Sequence, residues 1–191
     1  MALLIRRVLL VAGMLAAAFG PPPAAAQGIS QEEALRRAFP RADSVARRTA
    51  YLDDLQLARA RELAGAEAAV EAGVVTHYVG YRDGRPEGVA YFDAHPVRTL
   101  PEVLMIVVDR AGRIRRVEVI RFSEPPEYLA PAGWLEQFDG KALDAELSHK
   151  RGIANITGAT LTARAATAAA RRVLALHQVI APFGADPGAG R

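Results

Sequence analysis

The chain has 191 residues, of which 24 are lysine or arginine and 21 are aspartate or glutamate, so its formal net charge is +3. This length suits one globular domain with a terminal extension, and a hydrophobic fraction of 51% is too high for a disordered chain. The sequence contains no cysteine. That absence excludes a disulfide, a zinc–thiolate site, an iron–sulfur cluster and a haem attached through cysteine.

The first 26 residues have the pattern of a secretory signal peptide. Arg6 and Arg7 precede an apolar run over residues 8–19, and three prolines and three alanines separate that run from Gln27. The run is shorter than the roughly 20 apolar residues that span a bilayer, although an uncleaved N-terminal anchor is the alternative. Cleavage after Ala26 leaves 22 basic and 21 acidic residues, too small an excess for a nucleic-acid-binding patch. We therefore expect an exported, periplasmic protein that is peripheral to the membrane at most.

Residues 27–73 contain two helix signals, and we interpret this segment as an N-terminal helical extension. A capping-box pattern at Ser30 predicts a first helix that ends at Pro40. Residues 53–65, which begin with aspartate and end with glycine, predict a second helix. Between the two helices, residues 45–52 carry a weak strand signal.

The next part of the chain predicts an antiparallel sheet. Residues 74–81 and 88–92 are strand-like and flank an Asp-Gly turn signal. Residues 103–108 form the kind of apolar run that is typical of a strand buried on both faces. Residues 114–122 alternate between apolar and charged side chains, with a slip near residue 116. A tight Asp-Arg-Ala-Gly turn joins the last two strands into a hairpin.

Two further helices are predicted in the C-terminal part. A short helix around Trp134 ends at Gly140, and a long helix runs from about residue 162 to residue 180. The stripe of the long helix that we expect to be buried consists of Ala165, Ala169, Val173, Leu176 and Ile180.

Together these elements predict an α+β fold: a single domain with a mainly antiparallel sheet and packed helices. The domain covers residues 74–181 and follows the signal peptide and the N-terminal extension. Residues 182–191 are rich in glycine, proline and alanine, which is typical of a flexible tail.

The loop before the long helix is the candidate functional site. Thr160 and Thr162 follow Gly158 where a helix begins, and the free N–H groups of a helix start favour an anion. Glycine lets a bulky group approach the backbone, and Arg151 and Arg164 supply positive charge on either side. The structural alternative is that one of the two threonines only caps the helix.

Residues 156–162, Ile-Thr-Gly-Ala-Thr-Leu-Thr, resemble the flavinylation motif of the FMN-binding domain family. That family includes the extracytoplasmic FMN-bearing subunits of Rnf-type and Na+-translocating NADH:quinone oxidoreductase complexes. The resemblance implies that Thr160 carries FMN covalently, through a phosphoester. It also implies cofactor-binding roles for the other residues of the motif, which are Thr157, Gly158, Ala159, Leu161 and Thr162.

A looser likeness to the family lies upstream, so that the resemblance covers roughly residues 75–180. The segment that begins at Glu124 is similar to the Glu-Thr-Pro-Gly segment of the family, and the Phe-Asp-Gly-Lys stretch that begins at Phe138 resembles a Phe-x-Gly-Lys stretch. The resemblance implies that Glu124 hydrogen-bonds near the flavin. Many members have aspartate where this chain has Ala154, and the glycine of the first segment is Glu127 here.

Histidine and aromatic residues offer secondary candidates. The four histidines lack the spacing of metal ligands, so we expect no metal site. His95, near the end of a predicted strand, is a candidate for contact with the flavin edge. Four aromatic residues either stack on the flavin ring or belong to the core, and these are Tyr78, Tyr91, Tyr128 and Trp134.

The function predicted from these observations is that of an exported electron-transfer flavoprotein, not a stand-alone catalyst. It would pass electrons between redox proteins or a membrane oxidoreductase. The resemblance implies that a separate FAD-dependent flavin transferase installs the FMN, and a threonine hydroxyl is indeed a weak nucleophile unless a base activates it. Two alternatives stay open: a flavin-free binding or interaction module in which the loop is only a helix cap, and a sensor that needs flavin to fold.

Overall fold

The computed structural model describes residues 28–149 and 151–184. The predicted signal peptide and residues 185–191 of the predicted tail lie outside the described residues. The described residues form one five-stranded antiparallel sheet, whose strands are adjacent in chain order. The strands are β1 (Ser44–Tyr51), β2 (Val74–Arg82), β3 (Arg85–Pro96), β4 (Pro101–Val108) and β5 (Ile114–Phe122).

Helices cover both faces of this sheet, so the predicted α+β fold with an antiparallel sheet and packed helices is confirmed. The α-helices are α1 (Gln31–Ala38), α2 (Asp54–Ala64), α3 (Ala132–Leu135) and α4 (Thr160–Ile180). Two short 3-10 turns, Pro126–Tyr128 and Glu136–Phe138, flank α3.

The strand β4 runs through the middle of the core, as its apolar sequence predicts. Leu104, Ile106 and Val108 pack in the core on the face covered by α4. Met105 and Val107 pack on the opposite face, against α1. Because successive side chains of a strand point to opposite faces, a strand covered on both sides needs an unbroken apolar run.

The predicted slip in β5 is a β-bulge. The residue pairs on either side of Arg115 show that β5 has one extra residue there. The guanidinium of Arg115 donates a 2.7 Å hydrogen bond to the carbonyl of Ala38 and lies 5.3 Å from the centre of the Phe39 ring. The bulge therefore directs Arg115 toward the end of α1.

The segment before residue 74 is more than a helical extension, because it supplies an edge strand of the sheet. β1 pairs with β2 along its whole length, from Ser44 opposite Tyr81 to Tyr51 opposite Val74. The weak strand signal at residues 45–52 is thereby confirmed. The side chains of β1 are mostly exposed, and this is why the strand lacks a clear apolar alternation. The boundary between residues 73 and 74 stays a prediction.

The predicted N-terminal signals of the first two helices act as caps. The Ser30 hydroxyl accepts the N–H of Glu33 at 3.1 Å, but the Glu33 carboxylate pairs with arginines of its own helix and does not complete a capping box. Asp53 and Gln56 form a complete capping box at the start of α2. Each helix thus begins where the local sequence predicts.

The long helix α4 begins at Thr160, two residues earlier than predicted. Of the predicted stripe, Ala169, Val173 and Leu176 are buried, whereas Ala165 and Ile180 are half-buried. The buried face is wider than one stripe because α4 contacts both the sheet and α2. Among the described residues, no helix is both long and apolar enough to cross a membrane.

Candidate functional site

The candidate site is the N-terminal end of α4. Ala159 occupies the cap position, and within residues 28–149 and 151–184 no side chain accepts a hydrogen bond from the first N–H groups of the helix. The first turn also lacks an acidic residue. The partial positive charge of this helix end is therefore not compensated by the helix itself, a condition that favours binding of an anion such as phosphate.

The two threonines of the loop have different environments. The side chain of Thr160 is exposed, and its hydroxyl makes no hydrogen bond with the residues that the structure describes. Thr162 is buried, with 1% exposure, and its hydroxyl donates a 2.6 Å hydrogen bond to the carbonyl of Tyr128. Neither hydroxyl caps the helix, so the interpretation of the loop as a threonine N-cap is wrong. Of these two hydroxyls, only that of Thr160 is exposed.

Position 158 needs glycine because of its backbone conformation, and not because a neighbouring atom leaves no room for a side chain. Its φ angle is +82°, in the left-handed region that glycine adopts without strain. A Cβ at this position would meet no heavy atom within 4 Å. The turn brings Thr157 to the surface and Ala159 into the core just before α4 begins.

Glu124 shapes the loop between β3 and β4. Its Oε1 accepts the backbone N–H groups of Leu100, Thr99 and Arg98, at 2.8, 2.7 and 3.1 Å. These bonds lower the pKa of the Glu124 carboxyl, with the Leu100 bond as the largest cause. One carboxylate oxygen is thus committed to the loop, and the predicted hydrogen bond of Glu124 near the flavin stays a prediction.

The loop held by Glu124 is connected to the motif through Tyr128. The guanidinium of Arg98 lies 4.5 Å from the centre of the Tyr128 ring, a cation–π contact. The carbonyl of the same tyrosine accepts the Thr162 hydroxyl. The structure therefore brings together the two segments that resemble the flavin family, although more than 30 residues separate them in the chain.

The backbone of Ala154 is fixed by two side chains. Its N–H donates to Oε1 of Gln137 at 2.7 Å, and its carbonyl accepts the indole N–H of Trp134 at 2.8 Å. The Trp134 ring also makes an edge contact with Phe138, which is fully buried. Trp134 therefore anchors the segment that leads into the motif.

A charged network that the sequence interpretation missed lies beside α4. His95 Nδ1 is 2.8 Å from Asp93, and its Nε2 is 3.2 Å from Glu102. Arg172 of α4 donates two hydrogen bonds to Asp93, at 2.6 and 2.7 Å. Asp93 and His95 are two residues apart and lie on one face of β3, so their pairing could have been predicted from the sequence. The contribution of Arg172 could not, because it is 79 residues from Asp93 in the chain.

The network holds His95 in its charged form. Burial lowers the pKa of His95, but the hydrogen bonds to Asp93 and Glu102 outweigh it and raise the pKa to about 9. Both ring nitrogens are occupied, so neither is free to hydrogen-bond to a flavin, and the predicted contact of His95 with the flavin edge stays a prediction. Asp93, His95 and Arg172 line a groove of about 740 Å³ that runs along α4 past Ala165.

A pair of histidines, His77 and His177, lies on either side of Tyr91 near the C-terminal end of α4. The Tyr91 hydroxyl is 3.0 Å from Nδ1 of His177, and the ring of His77 stacks on Tyr91. Tyr91 is thus a core residue, which was one of the two predictions for it. No group of residues within 28–149 and 151–184 has the arrangement of a metal site.

An exposed hydroxyl at a helix end that suits a phosphate group, beside a fixed neighbouring loop, is an arrangement that fits a phosphorylated cofactor. Residues 101–175 match the FMN-binding domain family, and this part of the chain belongs to that family. The match begins at β4 and ends within α4, so it contains both Glu124 and Thr160. No curated protein matches the chain.

Proposed function

We propose that the protein carries FMN on the Thr160 oxygen through a phosphoester and transfers electrons between redox partners outside the cytoplasm. The observation that carries this proposal is the contrast between Thr160 and Thr162. The first has an exposed and unengaged hydroxyl at the helix start, and the second is buried and bonded to Tyr128.

The residues around Thr160 fit a phosphorylated flavin. The first N–H groups of α4 would bind the phosphate oxygens. Leu161 is 46% exposed and provides an apolar surface beside the attachment point. The hydrogen bond from Thr162 to Tyr128 and the loop held by Glu124 would limit the movement of the surrounding backbone. FMN supplies one- and two-electron transfer, and the chain supplies attachment and orientation.

Attachment requires a second protein. The Thr160 hydroxyl forms no hydrogen bond with a carboxylate or imidazole of the described residues, so none of them activates it as a nucleophile. With FAD as the donor, the Thr160 oxygen forms a bond to the FMN phosphorus while the pyrophosphate bond breaks and AMP leaves. The hydroxyl proton passes to a base of the transferase. An exported carrier benefits from this bond because a dissociated cofactor would be lost by dilution.

The test is co-expression of the full chain with a flavin transferase, followed by a denaturing gel and intact-mass measurement. We expect in-gel flavin fluorescence and a mass increase of one FMN less one water, on a chain that begins at Gln27. Thr160→Ala should abolish both signals, whereas Thr160→Ser and the matched control Thr162→Ser should retain them.

Two results would contradict the proposal. Fluorescence that persists in Thr160→Ala would place the flavin elsewhere. An unmodified mass of the wild-type chain would support a flavin-free binding module instead.

A further inference from the structure

A second groove, which we name the β5 groove, runs along the outer edge of the sheet. β5 is an edge strand, and the groove of about 1120 Å³ is lined by five consecutive residues of it, 115–119. Successive side chains of a strand point to opposite faces. A groove that touches five residues in a row therefore lies against the edge of the strand and not against one face.

The edge of β5 is paired at its ends but not in the middle. At one end Ile114 receives the N–H of Gly140 at 2.7 Å and donates to Lys141 at 2.9 Å. At the other end Arg121 forms a bridge with Gly28. Residues 116–119 have no outer backbone partner among the described residues. The gap between the paired ends is about 13 Å long at roughly 3.3 Å per residue.

The walls of the groove are largely apolar. Leu129, Ala132 and Leu135 face the strand across it, and Val117 and Val119 contribute from β5. An extended chain in the gap would therefore bury apolar side chains while its backbone pairs with the open edge. A compact small molecule would leave most of that row of backbone groups unpaired.

The polar groups of the groove favour a ligand with N–H donors and a positive charge. Glu118 is already paired with Arg37 and Arg116, each at 3.2 Å, although its Oε2 is buried without a hydrogen bond. Glu136 and Asp139 lie close to the Ile114 end, and burial together with Glu136 raises the pKa of the Asp139 carboxyl. Arg116 partly offsets this shift, but neither Glu136 nor Asp139 forms an ion pair with another described residue.

We propose that the β5 groove binds an extended segment of a partner protein, which adds a sixth strand to the sheet through residues 116–119. Its apolar side chains enter the groove, and a basic side chain lies beside Glu136 and Asp139. This mode of recognition takes affinity from backbone hydrogen bonds and specificity from alternate side chains.

One arrangement with a second copy of the chain, in which β5 pairs with the opposite edge of the sheet, is disfavoured. The opposite edge strand, β1, carries Arg47 and Arg48 exposed at its centre, an arrangement that discourages strand pairing.

The experiment uses flavin-free Thr160→Ala protein and a displayed library of random decapeptides. We expect selected peptides to alternate apolar residues and to carry lysine or arginine near one end. Synthetic copies should bind saturably by fluorescence anisotropy, and N-methylation of alternate backbone nitrogens should weaken binding at least tenfold. Because the protein lacks the acceptor threonine, the outcome is independent of whether Thr160 carries flavin.

Matched variants locate the site. Glu136→Lys combined with Asp139→Lys should weaken binding of the selected peptides at least tenfold, since both side chains are exposed and their replacement leaves the fold intact. Val45→Lys, on the exposed edge of β1, should leave binding unchanged.

Four results would overturn the proposal. These are failure to select any saturable binder, equal binding of N-methylated peptides, displacement of the peptide by free FMN, and a protein dimer in sedimentation that the double lysine variant dissociates.

Discussion

The hydroxyl of Thr162 donates a 2.6 Å hydrogen bond to the carbonyl of Tyr128, and this contact attaches the start of α4 to the turn after β5. The same tyrosine lies under Arg98, whose backbone N–H is bound by Glu124. The motif threonine that does not carry the flavin in our proposal thus has a structural role, and it holds the loop in which the exposed threonine lies.

Replacement of Thr162 should change the stability of the protein without removing the proposed flavin acceptor, which is Thr160. Thr162→Val preserves the shape of the side chain but removes the donor, which we expect to lower the free energy of unfolding by about 1 kcal/mol. Thr162→Ser keeps the donor and should change stability by a smaller amount. Urea unfolding of the flavin-free proteins measures both. Equal stability of the valine and wild-type proteins would show that the contact contributes nothing.

Gly158 and Gly133 form a matched pair for the backbone argument. A Cβ has open space at both positions, but only Gly158 has a positive φ. Gly158→Ala should therefore destabilise the protein by about 1–2 kcal/mol through backbone strain alone. Gly133→Ala lies in α3 and should stabilise by up to about 1 kcal/mol. Thermal and urea unfolding measure the change in stability of each variant. If both variants changed stability in the same direction, the argument that Gly158 is needed for its positive φ would be contradicted.

The charged His95 predicts a loss of stability in mildly alkaline solution. The hydrogen bonds to Asp93 and Glu102 raise the folded pKa of His95 to about 9, whereas the unfolded value is near 6.5. A raised pKa contributes stability that is complete below pH 6.5 and is lost as the pH rises through 9. The full effect is on the order of 3 kcal/mol. Urea unfolding from pH 6 to pH 10 should show this decline.

Variants of His95 and its partner Glu102 provide the control for the pH dependence of unfolding. His95→Gln would leave the fully buried Glu102 carboxylate without a positive neighbour, so this variant should be strongly destabilised near neutral pH. His95→Gln with Glu102→Gln removes both charges and should recover much of the stability. The double variant should also lose the decline between pH 6.5 and 9, and persistence of that decline would assign it to another group.

His177 predicts the opposite pH dependence. Burial, with a smaller contribution from His77, lowers the folded pKa of His177 to about 4, and its Nδ1 lies 3.0 Å from the Tyr91 hydroxyl. A lowered pKa contributes stability above pH 6.5 that is lost as the pH falls toward 4, on the order of 3 kcal/mol in total. NMR titration of the imidazole signals should show His177 neutral at pH 5. A midpoint near 6.5 would contradict the prediction.

Much of the fold is predictable because its signals are local. The capping residues Ser30 and Asp53, the hairpin of β4 and β5, and the bulge at Arg115 follow from contacts or periodicities within a few residues. The role of β1 is harder to predict, because an exposed edge strand leaves a weak apolar pattern. Its place in the sheet is decided by pairing with β2, more than 20 residues later.

For the site, the sequence by itself determined the motif around Thr160 and its position at a helix start. Only the tertiary structure decided that Thr162 is buried against Tyr128, that Glu124 holds the loop before β4, and that Arg172 completes the His95 network. The physical reason is the range of the interactions. Helix starts and turns depend on neighbouring residues, whereas hydrogen bonds and ion pairs between distant segments exist only once the core has set those segments side by side.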